Sequence, residues 1–343
     1  MKIVVLAGGL SPERDVSLCS GSLIANALIE NGHEVLLADL YLGFPNASYE
    51  ASYLTKDSSE RYHYEIPEVE PDLQKLKATS GNKNALIGPH VIEACQNADL
   101  AFLALHGHIG ENGMLQAVLD TFGIRYTGTG YEGCLLGMNK DISKKLMLAA
   151  GINTAPWKTY SLNDLAPDDL DDIAYPCVVK PLSCGSSIGV SILDNKEQLS
   201  QALDFAKTYE SDILIEEKIS GREFSVGILD GAALPSIEII PKQGFYDYKN
   251  KYQADCTTEV CPAEIPESLE MKLRTAALKV HKALHLGYYS RVDFIVDSNE
   301  GLWCLEANTL PGMTPNSLIP QEARANGIAY NDLCEMIAQA ALR

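Results

Sequence analysis

The chain has 343 residues, enough for two or three domains with separate cores, and its 46% hydrophobic and 21% charged residues are typical of a soluble globular protein. Its formal net charge of −19 argues against nucleic acid and anionic membranes as partners. No apolar run has the length of a membrane span or of a secretory signal, so we expect a cytoplasmic protein. Nine cysteines without a CxxC pair favour reduced thiols over a disulfide framework.

The first part of the chain has the pattern of a parallel βαβ unit. The apolar runs Lys2–Ala7 and Glu34–Leu40 predict strands and Asp15–Asn31 predicts a helix, which together indicate an α/β layer. Residues 42–95 are polar and tyrosine-rich with weak periodicity, which indicates an insertion with helical pieces. Ala98–Leu105 predicts a further strand that ends in a glycine-rich loop.

The segment 128–133 formally matches the GxGxxG fingerprint of dinucleotide-binding proteins. The acidic residue expected about 20 positions later is absent, and the motif does not open the chain. We therefore favour a tight turn into a helix at Glu132–Ala149 over an oxidoreductase. Ahead of this turn, Met114–Phe122 predicts a helix and Ile124–Thr127 a short strand.

The remaining predicted elements are separated by polar loops. They are the strands Tyr175–Val179, Ser191–Leu193, Asp212–Glu217, Phe224–Leu229 and Ser236–Ile240, and the helices Lys196–Tyr209, Pro266–Leu286 and Tyr330–Leu342. Residues 242–262 lack the periodicity of either element and carry four aromatic side chains. Long irregular segments within compact domains are commonly functional, so we predict a lid that closes over a ligand.

The most informative segment, residues 289–308, predicts a β-hairpin with strands at 289–296 and 302–308. Because side chains alternate along a strand, Arg291 and Asp293 share one face of the first strand, and Glu306 and Asn308 share one face of the second. Carboxylate and amide oxygens at this spacing suit Mg²⁺ that bridges nucleotide phosphates, and the arginine suits a developing oxyanion. Four polar groups in an otherwise apolar hairpin favour a site over a solvated face.

Two further segments have the residue types of a nucleotide site. Lys180 ends a predicted strand before a loop with glycines and serines, whose backbone N–H groups could cradle phosphate, although a plain hairpin turn is the alternative. Glu216, Glu217 and Glu223 could hold an adenine amino group and a ribose. Taken alone, such glutamates are more typical of a solvated edge strand.

The loop after the first predicted strand also carries candidate binding groups, because ligands bind at this end of α/β sheets. Ser11 fits a helix N-cap and Pro12 the first helical position. Glu13 could hold a ligand ammonium, or could simply be a favourable acid at a helix start. His106 and His108 follow another predicted strand, and one of them could be catalytic.

The motifs that carry these candidate groups occur in one order along the chain, and this ordered set resembles that of the D-alanine–D-alanine ligase family. The shared motifs are Gly-Gly-x-Ser-x-Glu-Arg-x-Val-Ser near the start, His-Gly…Gly-Glu-x-Gly-x-Leu-Gln, Lys-Pro…Gly-Ser-Ser-x-Gly, Phe-Tyr-Asp-Tyr…Lys-Tyr, and Arg-x-Asp…Glu-x-Asn-Thr-x-Pro-Gly-Met-Thr. Any single motif is weak, whereas the ordered set is highly specific. The resemblance runs from Lys2 to the last predicted helix, apart from residues 42–95.

The resemblance implies a fold of the α/β and α+β class, an ATP-grasp fold with an N-terminal Rossmann-like α/β domain. The implied domains are 1–128 with the insertion at 42–95, 129–215, and 216–343 with the lid at 242–262. The active site is then expected between the central and C-terminal domains, which grasp ATP between two sheets.

The resemblance also implies an activity, the ATP-dependent joining of two D-alanines through an acyl phosphate for peptidoglycan synthesis. The implied partners are ATP, two D-alanines and two Mg²⁺ or Mn²⁺ ions per site, in a cytoplasmic homodimer. A D-alanine–D-serine or D-alanine–D-lactate ligase and a nucleotide-binding regulator without turnover are the alternatives. Leu318 and Tyr252 favour D-alanine as second substrate, and retention of every inferred metal ligand together with Arg291 argues against the regulator.

The resemblance assigns a role to each matching residue. The implied metal ligands are Asp293, Glu306 and Asn308. The implied nucleotide contacts are Lys140, Lys180, Glu216, Glu217, Ile219 and Glu223. The implied catalytic set is Glu13, His106, Ser186, Tyr252, Arg291, Gly312 and Ser317, in which Arg291 and the Gly312 amide form the oxyanion hole and Glu13, Ser186 and Tyr252 pin the lid. The implied substrate contacts are Glu13 with the first D-alanine, and Lys251, Ser317 and Leu318 with the second.

Two positions depart from the family pattern. Asn112 stands where aspartate is usual, and Asn139 stands in place of the aspartate of a commoner Met-Asp-Lys. Neither residue touches the chemistry in this interpretation, so the departures bear only on local loop geometry.

Overall fold

The computed structural model describes residues 1–67, 69, 71–81, 84–185, 188–242 and 257–343. The predictions for Ser186, Lys251 and Tyr252, and for most of the predicted lid, lie outside the described residues. The described part of the chain forms three sheets, and each is covered by helices that bury its apolar residues. The proposed domain boundaries stay a prediction.

The N-terminal sheet is parallel, with strand order β2-β1-β3, as the βαβ pattern predicts. Its elements are β1 (Lys2–Ala7), α1 (Arg14–Glu30), β2 (Glu34–Asp39) and β3 (Leu100–Leu103). The predicted strand at 98–105 is therefore shorter than expected. The strand predicted at 124–127 is wrong, because only Tyr126 there forms an isolated bridge, to Ala101 of β3.

The segment 42–95 has the helical pieces that the sequence predicts. They are a 3₁₀ turn at Ser48–Ser52, α2 (Leu73–Thr79) and α3 (Val91–Gln96). The segment is tied to the N-terminal sheet by Tyr62, whose hydroxyl donates to the Val35 carbonyl at 3.0 Å. The next helix is α4 (Met114–Thr121).

The single helix predicted at 132–149 is wrong, because the chain forms two helices, α5 (Tyr131–Met138) and α6 (Lys140–Ala149). Asn139 has an extended ψ of 103° between them and acts as the N-cap of α6. Its Oδ1 atom accepts from the Ile142 N–H at 3.0 Å. An N-cap side chain satisfies a helix-end donor in this way, and here it starts a new helix with Lys140 at its first position.

The central sheet is antiparallel, with strand order β4-β7-β5-β6. Its elements are β4 (Trp157–Ser161), β5 (Cys177–Pro181), β6 (Ser191–Leu193), α7 (Leu199–Lys207) and β7 (Asp212–Glu217). The predicted helix at 196–209 begins as a 3₁₀ turn at Lys196–Gln198. Strand β4 is not predicted by the sequence.

The C-terminal sheet has strand order β11-β10-β8-β12-β13, with β9 paired to β8. Its elements are β8 (Arg222–Leu229), β9 (Ala232–Ala233), β10 (Ile237–Pro241), β11 (Thr257–Val260), α8 (Glu267–Ala283), β12 (Tyr289–Val296), β13 (Leu302–Asn308), α9 (Leu318–Ala325) and α10 (Tyr330–Ala340). Residues 257–260 were expected in an aperiodic lid, but they form an edge strand on β10.

Contacts between the three sheets and their helices bring the candidate site residues together. Helices α5 and α6 contact β13, and α10 returns to pack on α1 of the N-terminal unit. The loops after β1 and β3, the start of α6 and the β12–β13 hairpin therefore face one another. Within the described ranges, no helix is long and apolar enough to cross a membrane.

Candidate active site

A cleft of about 470 Å³ lies where the N-terminal loops, the start of α6 and the hairpin meet. Residues that are far apart in the sequence line this cleft together. The predicted site residues that line it are Glu13, His106, Lys140, Arg291, Glu306, Asn308, Gly312, Ser317 and Leu318. Gly185 of the glycine-rich loop lines the same cleft.

The β12–β13 hairpin has the predicted bounds. Arg291 pairs with Asn308 and Asp293 pairs with Glu306, with a register shift directly after Asp293. Directly opposed residues on paired strands project their side chains to the same face, about 5 Å apart. The four polar side chains inferred from alternation therefore share one face of the sheet.

Asp293 is the centre of a buried hydrogen-bond network on this face. The guanidinium of Arg291 donates to both carboxylate oxygens at 2.9 Å, through Nε and Nη2. Asn308 Nδ2 donates at 2.9 Å and Ser225 Oγ donates at 2.7 Å. Ser225 can reach because β8 pairs with β12 at this register. The network holds Arg291 and Asp293 in fixed orientations.

The hairpin face fits a hard divalent cation by its donor chemistry. Asp293 and Glu306 offer carboxylates and Asn308 offers an amide oxygen, while its nitrogen is turned to Asp293. No group of three or more His, Cys, Asp or Glu that could hold a metal occurs in the described segments. The oxygen donors of the hairpin face suit Mg²⁺ or Mn²⁺, whose coordination is commonly completed by phosphate oxygens and water.

The N-terminal wall of the cleft is built around Glu13, which is only 3% exposed. Helix α1 starts at Arg14, with Glu13 as its N-cap, so the predicted N-cap role of Ser11 and first helical position of Pro12 are wrong. The reason is a turn before the helix, in which Ser11 accepts from the N–H groups of Glu13 and Arg14. This turn brings the Glu13 side chain into the cleft.

Gly107 lets the loop after β3 approach Glu13 closely. Its φ is +65°, and a Cβ there would lie 3.1 Å from Glu13 Oε2 and 3.0 Å from Ser11 Oγ. The neighbouring His106 is buried, and burial lowers its pKa while the charge of Glu13 opposes the shift. Its Nε2 atom has no hydrogen-bond partner in the part of the chain that the structure describes. His108 does not line the cleft.

Glu111 is a cleft residue that sequence reasoning missed. Its Oε2 atom accepts from the Gly107 N–H at 2.5 Å. Burial, reinforced by the negative charge of Glu13, raises the pKa of Glu111 to about 8. The signal was present in the sequence, because an acid between glycines in a loop after a buried strand occupies a usual ligand-binding position.

The predicted nucleotide lysines differ in their surroundings. Lys140 lines the cleft and donates to the Cys184 carbonyl. Lys180 lies behind it in an ion pair with Glu216, at 2.5 Å from Nζ to Oε1. A third lysine that the sequence did not single out, Lys144, lies 2.8 Å from the other oxygen of Glu216.

The other predicted adenosine contacts are not brought to this cleft. Glu217 is exposed at the end of β7, and Ile219 and Glu223 are half-buried. None of the three is among the described residues that line the 470 Å³ cleft. Their roles stay predictions.

The loop between β13 and α9 completes the cleft opposite Glu13. Ser317 is the N-cap of α9, and its Oγ accepts from the Thr314 N–H at 3.1 Å. A Cβ on Gly312 would lie 3.0 Å from the same oxygen. Leu318 packs on Ile237 and Ile239. This packing places a hydroxyl and an apolar side chain next to each other at the cleft.

Two family models match the chain, described as D-ala D-ala ligase N-terminus over residues 2–129 and D-ala D-ala ligase C-terminus over residues 146–339. A D-alanine–D-alanine ligase of Pediococcus pentosaceus is 45% identical over 98% of this chain and 96% of its own. The solved D-alanine–D-alanine ligase from Bacillus anthracis complexed with ATP is 31% identical with a TM-score of 0.74, covering 100% of this chain and 97% of its own. The D-Ala:D-Ser ligase from Enterococcus faecalis is 27% identical with a TM-score of 0.77, covering 99% of both chains.

These matches extend over the segments that carry the ordered motifs, and they confirm the family resemblance and the fold class. The two antiparallel sheets behind the cleft are those expected of an ATP-grasp enzyme. The chain belongs to the D-alanine–D-alanine ligase family.

Proposed function

We propose that this protein joins two D-alanines to D-alanyl-D-alanine with hydrolysis of ATP to ADP and phosphate, for peptidoglycan precursor synthesis. The observation that carries the proposal is the polar face of the hairpin, which meets Glu13 and Lys140 in one cleft. Family membership supports the substrates, since relatives named D-alanine–D-alanine ligase reach 45% identity. The neighbour complexed with ATP supports ATP as the energy source.

The reaction has two displacements. A carboxylate oxygen of the first D-alanine attacks the γ-phosphorus of ATP, and ADP leaves. The amine of the second D-alanine then attacks the carbonyl of the acyl phosphate, loses a proton and expels phosphate. Divalent cations, two by resemblance, would neutralise phosphate charge when held by Asp293, Glu306 and Asn308.

The lysines bind the negative charge of the ATP phosphates, and the oxyanion groups stabilise the negative charge that forms during the second displacement. Lys140 and Lys180 bind phosphate oxygens, so they draw the nucleotide toward the hairpin. Arg291 and the Gly312 N–H stabilise the oxyanion of the second displacement. Arg291 is bonded to Asp293 in the free protein, so it must exchange part of that contact for the substrate.

The two amino-acid positions follow from the walls of the cleft. The buried carboxylate of Glu13 binds the ammonium of the first D-alanine, and His106 borders the same position. Ser317 and Leu318 receive the carboxylate and methyl group of the second, with Lys251 nearby. The latch of Glu13, Ser186 and Tyr252, and closure of the lid at 242–262, belong to the same proposal. So do the homodimer and the cytoplasmic location.

The decisive experiment incubates the protein with ATP, Mg²⁺ and D-alanine and measures dipeptide and phosphate. Equal amounts of both are expected, and Glu306→Gln is the matched inactive control. Binding of ATP without formation of dipeptide would instead identify a nucleotide-binding regulator. The likeness to a D-Ala:D-Ser ligase, at a lower sequence identity, makes the second substrate the next question.

Competition between D-alanine, D-serine and D-lactate answers that question. We expect mostly D-alanyl-D-alanine at pH 7, because the apolar Leu318 suits a methyl group and Lys251 a carboxylate. Product masses separate the three outcomes. A majority of D-alanyl-D-lactate or D-alanyl-D-serine would overturn the assignment of the second substrate.

A further inference from the structure

Lys144 is a buried lysine to which the proposed reaction assigns no role. Its side chain is 2% exposed, and it projects from α6 toward the central sheet. The ammonium donates to Thr154 Oγ1 at 2.6 Å and to the Ala155 carbonyl at 3.1 Å. Glu216 Oε2 lies 2.8 Å from the same nitrogen. Two of the ammonium's three donors are used by Thr154 and Ala155, and its contact with Glu216 is an ion pair, so three groups hold it in position.

Lys180 shares Glu216 with Lys144 but is held less firmly. Its Nζ lies 2.5 Å from Glu216 Oε1, and this is its one partner among the described residues. Two ammonium groups thus flank one buried carboxylate, which gives the cluster a formal charge of +1. Burial alone would raise the pKa of Glu216, but the charges of Lys180 and Lys144 lower it below its ordinary value, so the carboxylate is ionised at neutral pH.

We propose that Lys144 is a positioning residue for nucleotide binding, which keeps Glu216 neutralised so that Lys180 can turn to a phosphate oxygen. The proposal rests on the proposed function only for the identity of the ligand as a nucleoside polyphosphate. If Lys144 were absent, Lys180 would be the carboxylate's single counter-ion. A buried ion that loses its partner is strongly unfavourable, so Lys180 would stay bound to Glu216.

The expected loss of affinity is specific to ligands that carry phosphate. Lys144→Met reduces the formal charge of the cluster from +1 to zero and retains Lys180 on Glu216. We expect the Kd for ADP to rise about tenfold or more, the usual size of coupling between charged groups in contact. The Kd for adenosine should change less than about twofold, because adenosine carries no phosphate for Lys180 to bind.

The chain provides a matched control at the next position. Lys145 is also on α6, but its side chain is 65% exposed and pairs with Asp141 at 2.7 Å. Lys145→Met removes the same charge from the same helix and should leave both dissociation constants unchanged. A second, compensating change is available in Glu216→Gln. In the Lys144→Met background it frees Lys180 from a charged partner and should restore most of the lost affinity for ADP relative to adenosine, a ratio that does not depend on any contact of Glu216 with the adenosine.

The experiment is isothermal titration of ADP and of adenosine, in Mg²⁺ buffer, into wild type, the two lysine variants and the Lys144→Met/Glu216→Gln double variant. Selective loss of ADP affinity with recovery in the double variant supports the proposal. Equal loss for ADP and adenosine, or no recovery, overturns it and assigns Lys144 a purely structural role. If Lys144→Met is not recovered folded, Lys144→Gln removes the charge while retaining a donor, with the same expected outcomes. Because the readout is binding, the result holds even if no dipeptide is ever formed.

Discussion

Replacement of Asp293 by asparagine should lower both stability and turnover, because four donors converge on this carboxylate. Oδ1 accepts from Arg291 Nε and Ser225 Oγ, and Oδ2 accepts from Arg291 Nη2 and Asn308 Nδ2. An asparagine keeps one acceptor oxygen, so its NH₂ group faces two donors in either orientation. The guanidinium also loses its counter-ion, and the side chains of Arg291 and Asp293 are only 12% and 10% exposed.

The magnitude follows from this burial. Removing one partner of a buried ion pair costs about 3–5 kcal/mol, and that loss corresponds to a melting temperature lower by roughly 10 °C in a domain of ordinary size. Glu306 is the matched control, since its carboxylate makes no hydrogen bond or ion pair within the described residues. We expect Glu306→Gln to melt within about 2 °C of wild type, as substitutions that break no contact usually do.

Both variants should lose turnover by orders of magnitude, because both remove charge from the face that would hold the metal ions. Calorimetry of the nucleotide-free proteins gives the melting temperatures, and phosphate release at saturating Mg²⁺ gives the rates. An unchanged melting temperature for Asp293→Asn would refute the stabilising role of the network. Turnover like that of wild type in either variant would refute the metal assignment.

Three other changes test the walls of the cleft. The folded-state pKa of Glu111 is about 8 and exceeds its ordinary value of 4.5, so the group destabilises the fold increasingly as pH rises between those values. Glu111→Gln should therefore be more stable than wild type at pH 8, by up to about 4 kcal/mol, and similar at pH 4, as urea titrations would show. Asn139→Ala removes the cap on the Ile142 N–H, so we expect about 1 kcal/mol less stability and a higher KM for ATP, whereas Asn139→Asp should match wild type. Gly107→Ala places a methyl group 3.1 Å from Glu13 Oε2 at a φ of +65°, and should raise the KM for D-alanine with little change in that for ATP.

The sequence predicted the strands best where apolar runs end in turns. The strands at 2–7, 212–217, 289–296 and 302–308 have the predicted bounds. Strands β4 and β11 lie at sheet edges, and their residues are mostly exposed or half-buried. An edge strand of this kind has no clear alternation of buried and exposed positions, so its pairing depends on a neighbour that the local sequence does not specify.

The hairpin site was predictable because a period of two fixes which side chains share a face, and a slip of one residue would reverse every one of them. Lys144 was not predictable by the same reasoning. In the sequence it resembles the exposed Lys145 beside it, and only the tertiary fold, which packs α6 on β13, brings it to Glu216 of β7. The helix break at Asn139 was missed because the apolar pattern continues across it and only the cap marks it.

The cations of the candidate site have one feature in common that suits an acidic chain, which is that each has a partner of the opposite polarity. With a net charge of −19, the protein must collect its positive charge where phosphate binds, yet several ammonium or guanidinium groups near one another repel. Each is held by a partner of the opposite polarity: Arg291 by Asp293, Lys180 by Glu216, and Lys140 by the Cys184 carbonyl. In the proposed function, binding of a nucleotide exchanges these partners rather than ordering loose side chains, so less conformational entropy is lost.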